Sequence, residues 1–144
     1  MCIIDGHENI AWNALTLGRD YTCSALAIRK SETSKGLQHH NGHASLGLKE
    51  WGSGGVGVIF AAIFVHPYHR LTIDRHTHCY HNAEDAHQLA QAQLDYYHCL
   101  EHENPQFRII HDTGTLNAVV DTWSNDAQKD RQIGLVLLME GADP

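Results

Sequence analysis

Near the start of the chain, the residues best suited to chemistry are His7 and Asn9, in the segment Asp5-Gly6-His7-Glu8-Asn9. In an extended segment the side chains of residues i and i+2 point the same way, so His7 and Asn9 would share one face at the end of a short strand. Two polar side chains that aim at one point can supply two ligands to a single metal ion. The spacing therefore makes this segment a candidate metal-binding site.

Three apolar segments predict the buried strands that would carry such a site, at residues 3–5, 55–65 and 133–139. The run at 55–65 is continuously apolar, which indicates burial on both faces, as in a parallel sheet covered by helices. Gly6 is expected to end the first strand and let the chain turn to present His7. The third strand delivers Glu140 at its carboxyl end, and residues 107–111 predict a further short strand.

Two helices are predicted between these strands. The clearer one spans residues 82–104, begins at the N-cap Asn82, and carries an apolar stripe formed by Ala86, Leu89, Ala90, Leu94 and Tyr97. Thr115 is expected to cap the second helix, whose apolar residues recur at helical spacing. Residues 11–30 give only a weak helical signal, and residues 31–54, rich in Ser, Gly, His and Lys, are expected to form a long loop.

The order strand, loop, strand, helix, short strand, helix, strand indicates an α/β fold with parallel strands joined by right-handed crossovers. His7 and Glu140 would then both lie at the carboxyl ends of strands, the face where (β/α)8 barrel enzymes keep their chemistry. On residue type alone, the simpler interpretation is that both are ordinary polar residues at strand ends.

Composition excludes several classes of partner. The formal net charge of −7 disfavours nucleic acid and anionic membrane surfaces, because both are polyanions. The longest apolar run, residues 56–65, is shorter than the roughly 20 residues of a membrane span. The cysteines are widely spaced and form no C-x-x-C pair, which favours reduced thiols in the cytoplasm. We therefore expect a soluble cytoplasmic protein without nucleic acid or membrane partners.

The thirteen histidines suggest metal binding, but most of them lie in polar, irregular stretches. Solvated loop histidines are the simpler interpretation, because a tetrahedral site needs ligands that converge. The exception is the segment 75–81, where alternation could place His76 and His78 on one side and let them bind adventitious metal.

Five stretches of the chain resemble, in the same order and at plausible spacing, the membrane dipeptidase (renal dipeptidase) family of zinc peptidases, especially its bacterial members. They are Asp5-Gly6-His7-Glu8-Asn9, Gly18-Arg19-Asp20-Tyr21-Thr22, Gly55-Val56-Gly57-Val58-Ile59-Phe60, residues 86–97 around Gln93-Leu94-Asp95, and Leu137-Leu138-Met139-Glu140-Gly141. No single motif is decisive, but the ordered set is specific and covers nearly the whole chain.

The resemblance implies a (β/α)8 barrel and a metallodipeptidase that hydrolyses dipeptides at a binuclear zinc site. It implies that His7 and the residue at the position of Asn9 bind one zinc ion, and that Glu140 bridges to the other. Arg19 and Asp20 would help to wall the mouth of the active site, although they could form no more than a surface ion pair.

The chain departs from the family in two ways. The family has an aspartate where this chain has Asn9, whose neutral oxygen suits zinc less well than imidazole, thiolate or carboxylate. A complete barrel needs roughly 250 residues, so the 144 residues are expected to form a single partial domain, 1–144, the N-terminal part of such an enzyme. The other zinc and substrate ligands would come from later strands, and the open edges of the partial barrel favour self-association.

Three hypotheses for function follow. The first is the N-terminal part of a zinc dipeptidase that is active only with the rest of the barrel, in the same or another chain. The second is a catalytically inactive binding or interaction module, favoured by Asn9. The third is a non-functional truncated product that exposes raw sheet edges and aggregates.

Overall fold

The computed structural model describes residues 2–35, 42–68, 79–124 and 130–141. Along these segments a first strand is followed by three helices and then by three strands, after which helices and strands alternate. In chain order they are β1 (Ile3–Glu8), α1 (Ile10–Leu17), α2 (Ala25–Lys35), α3 (Leu48–Gly54), β2 (Val56–Phe64), β3 (His66–Pro67), β4 (Cys79–Tyr80), α4 (Ala83–Glu103), β5 (Phe107–Ile109), α5 (Thr113–Asp121) and β6 (Ile133–Glu140).

The main sheet has four strands in the order β1-β2-β6-β5, and all of its neighbouring pairs are parallel. The pairing of β2 with β6 is the longest and runs without a register shift from Val58 opposite Gly134 to Phe64 opposite Glu140. A second sheet consists of the short parallel pair β3 and β4. The predicted α/β fold with parallel strands and flanking helices is confirmed.

The position of β5 departs from a simple sequential order of strands. In a (β/α)8 barrel each strand neighbours the next one along the chain, so β5 would stand between β2 and β6. Instead β2 pairs directly with β6, and β5 lies on the outer edge of β6, where it pairs with Ile133–Leu135 only. Strands β1, β2 and β6 are therefore consecutive neighbours, with β5 as a short addition outside them.

A large buried cluster lies between the helices and one face of the sheet. Ile59, Ala61 and Ile63 alternate along β2 and pack into one buried cluster with aromatic residues from the helices and β5. Trp51 of α3 is fully buried, stacks on Tyr21 at a centroid distance of 5.6 Å, and meets the ring of Phe107 edge-on. Burial of such large rings contributes much of the hydrophobic stabilisation of a domain this size.

The first strand differs from its prediction in length and burial. It does not end at Gly6 but continues to Glu8, because a bulge accommodates the glycine within the strand. The predicted burial is wrong for Ile3 and Ile4, which are 38% and 62% exposed, since β1 lies at the edge of the sheet formed by the described strands. The carboxyl half of β6 is likewise less buried than predicted, and Met139 is 57% exposed.

The predicted long helix is confirmed, while the prediction of Thr115 as the cap of the shorter helix is wrong. Asn82 caps α4 by accepting a hydrogen bond from Asp85 N at 2.9 Å. The helix α5 is capped by Asp112, whose Oδ1 accepts bonds from both the backbone N and the hydroxyl of Thr115. An aspartate competes well for the N-cap position because its carboxylate is both a strong acceptor and favourable at the helix dipole.

The long loop predicted at residues 31–54 is shorter in the structure. The helix α2 extends to Lys35 and α3 occupies Leu48–Gly54, while residues 36–41 lie outside the described part. The two helices support one another, because Glu50 of α3 accepts a hydrogen bond at 2.8 Å from Ala25 N at the start of α2. The histidines predicted as adventitious metal ligands, His76 and His78, also lie outside the described residues.

Candidate functional site

His7 and Glu140 meet at the carboxyl ends of their strands. His7 Nε2 lies 2.8 Å from Glu140 Oε2, although the two residues are 133 positions apart in the sequence. Their side chains are 46% and 40% exposed, so the pair is open to solvent and ligands. Two of the three residues predicted to bind metal are thus brought together by the fold.

The two residues reach each other across β2, which separates β1 from β6 in the sheet. Two interstrand spacings amount to about 10 Å, a gap that the two side chains close from opposite sides. On β1, the bulge places Gly6 and His7 together opposite Phe60, since Asp5 pairs with Ile59 and Glu8 with Ala61. Bulges re-aim side chains in this way and are over-represented next to active sites.

Asn9 stands at the junction between β1 and α1. It is the N-cap of α1, but its side chain makes no capping hydrogen bond. Its Oδ1 is buried without a hydrogen-bond partner among the described residues, so it bonds neither His7 nor Glu140. A buried acceptor that is left unpaired costs free energy, and it would gain from a cation or a donor placed beside it.

Acidic residues surround His7 within the strand. Asp5 Oδ1 accepts a hydrogen bond from His7 N at 3.2 Å. Burial raises the pKa of Glu8 to about 7, and the neighbouring charge of Asp5 and a hydrogen bond between the two carboxyl groups add to the rise, while His7 lowers it. Glu8 therefore carries a proton over part of the neutral pH range, beside the negative charge of Asp5.

The fit of a zinc ion to these residues is partial. Two ligands of a tetrahedral zinc ion, each about 2.1 Å from it, lie roughly 3.4 Å apart. The 2.8 Å contact between His7 and Glu140 is a direct hydrogen bond and would have to open slightly to admit the ion, which the exposure of both side chains permits. Within the described ranges, no group of three or more His, Cys, Asp or Glu converges as a metal site would require. The described residues therefore offer part of a zinc site, with the unpaired oxygen of Asn9 nearby in sequence.

Arg19 and Asp20, which the resemblance places at the wall of the site, do not form the surface ion pair that was the alternative. Arg19 is buried and its Nε lies 2.6 Å from Glu32 Oε1. Asp20 accepts bonds from the backbone N and the hydroxyl of Thr22, and the hydroxyl bond is the main reason that its pKa is lowered. Arg19 thus belongs to a buried ion pair and Asp20 to a turn.

Sequence reasoning missed Gln93 and Tyr97 of α4, which bond to the strand end beside the site. Gln93 exchanges two hydrogen bonds with the backbone of Phe64, and the hydroxyl of Tyr97 donates to Ala62 O. Burial raises the pKa of Tyr97, so the hydroxyl keeps its proton and remains a donor. The available signal was the position of Gln93, a polar residue on the predicted apolar face of the helix.

Comparison with protein-family models, with curated proteins and with solved structures gives no match.

All four cysteines are free thiols. Each helix in the described ranges is too short or too polar to cross a bilayer.

Proposed function

We propose that this chain is part of a zinc-dependent dipeptidase in which His7 and Glu140 are metal ligands. The observation that carries the proposal is their 2.8 Å contact at the carboxyl ends of two parallel strands. Nothing local in the sequence brings these residues together, and an imidazole beside a carboxylate is a donor set that zinc prefers.

A bound zinc ion would lower the pKa of a water molecule and polarise the carbonyl group of a dipeptide. The residues of the chain would hold and orient it. His7 would offer Nε2 to the ion, and Glu140 would offer its carboxylate. The unpaired Oδ1 of Asn9 would be the third and weakest ligand.

The site needs further ligands for activity, which we propose come from additional barrel strands in the same or another chain. Strands β1, β2 and β6 would be the first three barrel strands, with β5 outside them. The exposed side chains of Ile4 and Met139 support this arrangement, because further strands would cover them. We also propose a cytoplasmic location and self-association through the open edges.

Zinc titration by calorimetry tests the two ligands. We expect His7→Ala and Glu140→Gln each to weaken zinc binding by at least about tenfold, because each removes a direct ligand. His98→Ala, on the exposed face of α4, is the matched control and should bind like the unmodified chain. Equal zinc binding by His7→Ala and the unmodified chain would refute the proposal.

The substitution Asn9→Asp tests the third position. A carboxylate in place of the amide should tighten zinc binding at least several-fold, since it adds negative charge next to the ion. The same calorimetric titration measures the change. An unchanged affinity would remove position 9 from the ligand set while leaving His7 and Glu140 in it.

A second candidate function is a binding module without catalysis. The amide of Asn9 and the partial donor set favour it, because a weakly held zinc ion would be a poor catalyst. With zinc present, calorimetry should then show binding of alanyl-alanine, while chromatography of the mixture finds no free alanine. Release of alanine that depends on His7 would support the enzyme instead.

A further inference from the structure

The end of β2 extends beyond the strand that flanks it on one side. The last residue of β2 that pairs with β1 is Ala61, whereas pairing with β6 continues to Phe64 opposite Glu140. Residues 62–64 therefore have a strand neighbour on one side only in the main sheet. This is the stretch of β2 that lies beside Glu140.

The carbonyl group of Ala62 and both peptide groups of Phe64 point to the side on which the pairing with β1 has ended. On β6, Ile133 N and Leu135 O are bonded towards β5, so the alternate residues of β6 bond to β2. The parallel register then directs the peptide groups of Ala61 and Ile63 to β6, and those of Ala62 and Phe64 away from it. Left alone, Ala62 O and both peptide groups of Phe64 would be unpaired polar atoms in a largely buried position.

Two side chains of α4 occupy this vacant side. Gln93 Nε2 donates to Phe64 O at 2.6 Å, and Phe64 N donates to Gln93 Oε1 at 2.9 Å. One turn along the helix, the hydroxyl of Tyr97 donates to Ala62 O at 2.8 Å. Both side chains are buried, at 4% and 0% exposure, so these bonds are shielded from water.

We propose that Gln93 is a positioning residue for the metal site, because its amide replaces a neighbouring strand and keeps the end of β2 in register with Glu140. As regards metal, the inference rests on the proposed function. A carboxamide has one acceptor and one donor group, the same pair that a neighbouring strand presents to a residue. At position 93, a glutamate would place a carboxylate against the carbonyl of Phe64, and a methionine would leave both the N–H and the C=O of Phe64 unpaired.

Tyr97 links the end of β2 to the start of α1, on the side of the site where Asn9 lies. Its oxygen also accepts a hydrogen bond from Ala11 N, at 3.2 Å, in the first turn of α1. This helix begins directly after Asn9, so Tyr97 joins the end of β2 to the segment that follows β1. The helix α4 thus holds both strand ends, and Gln93 acts at the one next to Glu140.

The test compares Gln93→Met with Gln91→Met in the full chain. Gln91 is exposed on the same helix and bonds only to the side chain of Asp95, so the pair makes the same chemical change with and without the contact to β2. Val119→Ala, a core truncation in α5, is a third variant that lowers stability elsewhere. Two quantities are measured, the hydrogen-exchange rate of the Glu140 amide without metal and the affinity for Co²⁺ from its visible absorption.

We expect Gln93→Met to raise the hydrogen-exchange rate of the Glu140 amide at least about tenfold more than Val119→Ala does. The two variants are compared under conditions in which their thermal stability is equal. Gln93→Met should weaken Co²⁺ binding about tenfold, as loss of supporting contacts around metal ligands does, while Gln91→Met changes neither quantity. Unchanged exchange at Glu140 in Gln93→Met, or the same change in Val119→Ala, overturns the inference. If the unmodified chain binds no Co²⁺, the proposed function fails, and the exchange rate of Glu140 alone decides whether Gln93 positions this strand end.

Discussion

Two side-chain pairs of this molecule each join a nitrogen donor residue to a glutamate but have opposite surroundings. His7 and Glu140 are 46% and 40% exposed and touch across a strand, whereas Arg19 and Glu32 are 8% and 4% exposed beneath α2. Either residue of the exposed pair can leave its partner and bind a ligand at little cost in free energy. The buried pair cannot, because either charge left alone in the interior is strongly unfavourable.

The buried pair is also more fully bonded. Besides Glu32, Arg19 donates to the carbonyl of Gly42 at 3.2 Å and lies 3.5 Å from Asn13 Oδ1. The second oxygen of Glu32 accepts from Ala44 N at 3.5 Å. The pair therefore fastens α2 to residues 42–44 and to α1. The difference teaches that Arg19 and Glu32 support the fold, while His7 and Glu140 face solvent.

The largest expected effect comes from breaking the buried pair. Arg19→Met leaves the carboxylate of Glu32 buried without its partner and should lower the free energy of unfolding by about 3–5 kcal/mol in urea denaturation. The double variant Arg19→Met, Glu32→Leu should recover most of this loss, since it removes both charges. A loss below about 1 kcal/mol in the single variant would show that the pair is not structural.

A smaller effect is expected from the acidic residue beside the exposed pair. The pKa of Glu8 is raised from 4.5 to about 7 in the folded chain. As pH rises between these values the unfolded chain ionises Glu8 first, so the free energy of unfolding falls across this window. Solvent screening of the partly exposed group limits the fall to about 1 kcal/mol.

The variant Glu8→Gln isolates this contribution. Its free energy of unfolding should lose the decline between about pH 4.5 and pH 7, and it should exceed that of the unmodified chain at pH 8. Urea denaturation at several pH values measures both quantities. Parallel pH profiles of the two proteins would show that the decline has another origin.

The smallest expected effect is that of the exposed pair itself. His7→Gln should change the free energy of unfolding of the metal-free chain by less than about 1 kcal/mol, because a solvent-exposed pair contributes little to stability. Urea denaturation at pH 6 measures it. A loss above about 2 kcal/mol would mean that His7 is structural, and it would remove the contrast with Arg19.

Local patterns in the sequence were sufficient for the elements with strong, regular signals. The continuous apolar run of β2, the capped and amphipathic α4 and the apolar start of β6 are confirmed, because burial on both faces or on one helical stripe imposes a period on the residues themselves. The helix α3 was missed because it is short and rich in glycine, and its stability comes from the burial of Trp51.

The sequence by itself determined that an α/β fold with parallel strands would carry His7 and Glu140 at strand ends, because these features depend on residues close together in the chain. Only the tertiary structure decided which groups meet. The place of β5 outside β6, the bulge that aims His7, the partner of Arg19 and the use of Gln93 as a substitute strand all depend on long-range packing. No local pattern encodes them, because each pairs groups that are distant in the chain and adjacent only after folding.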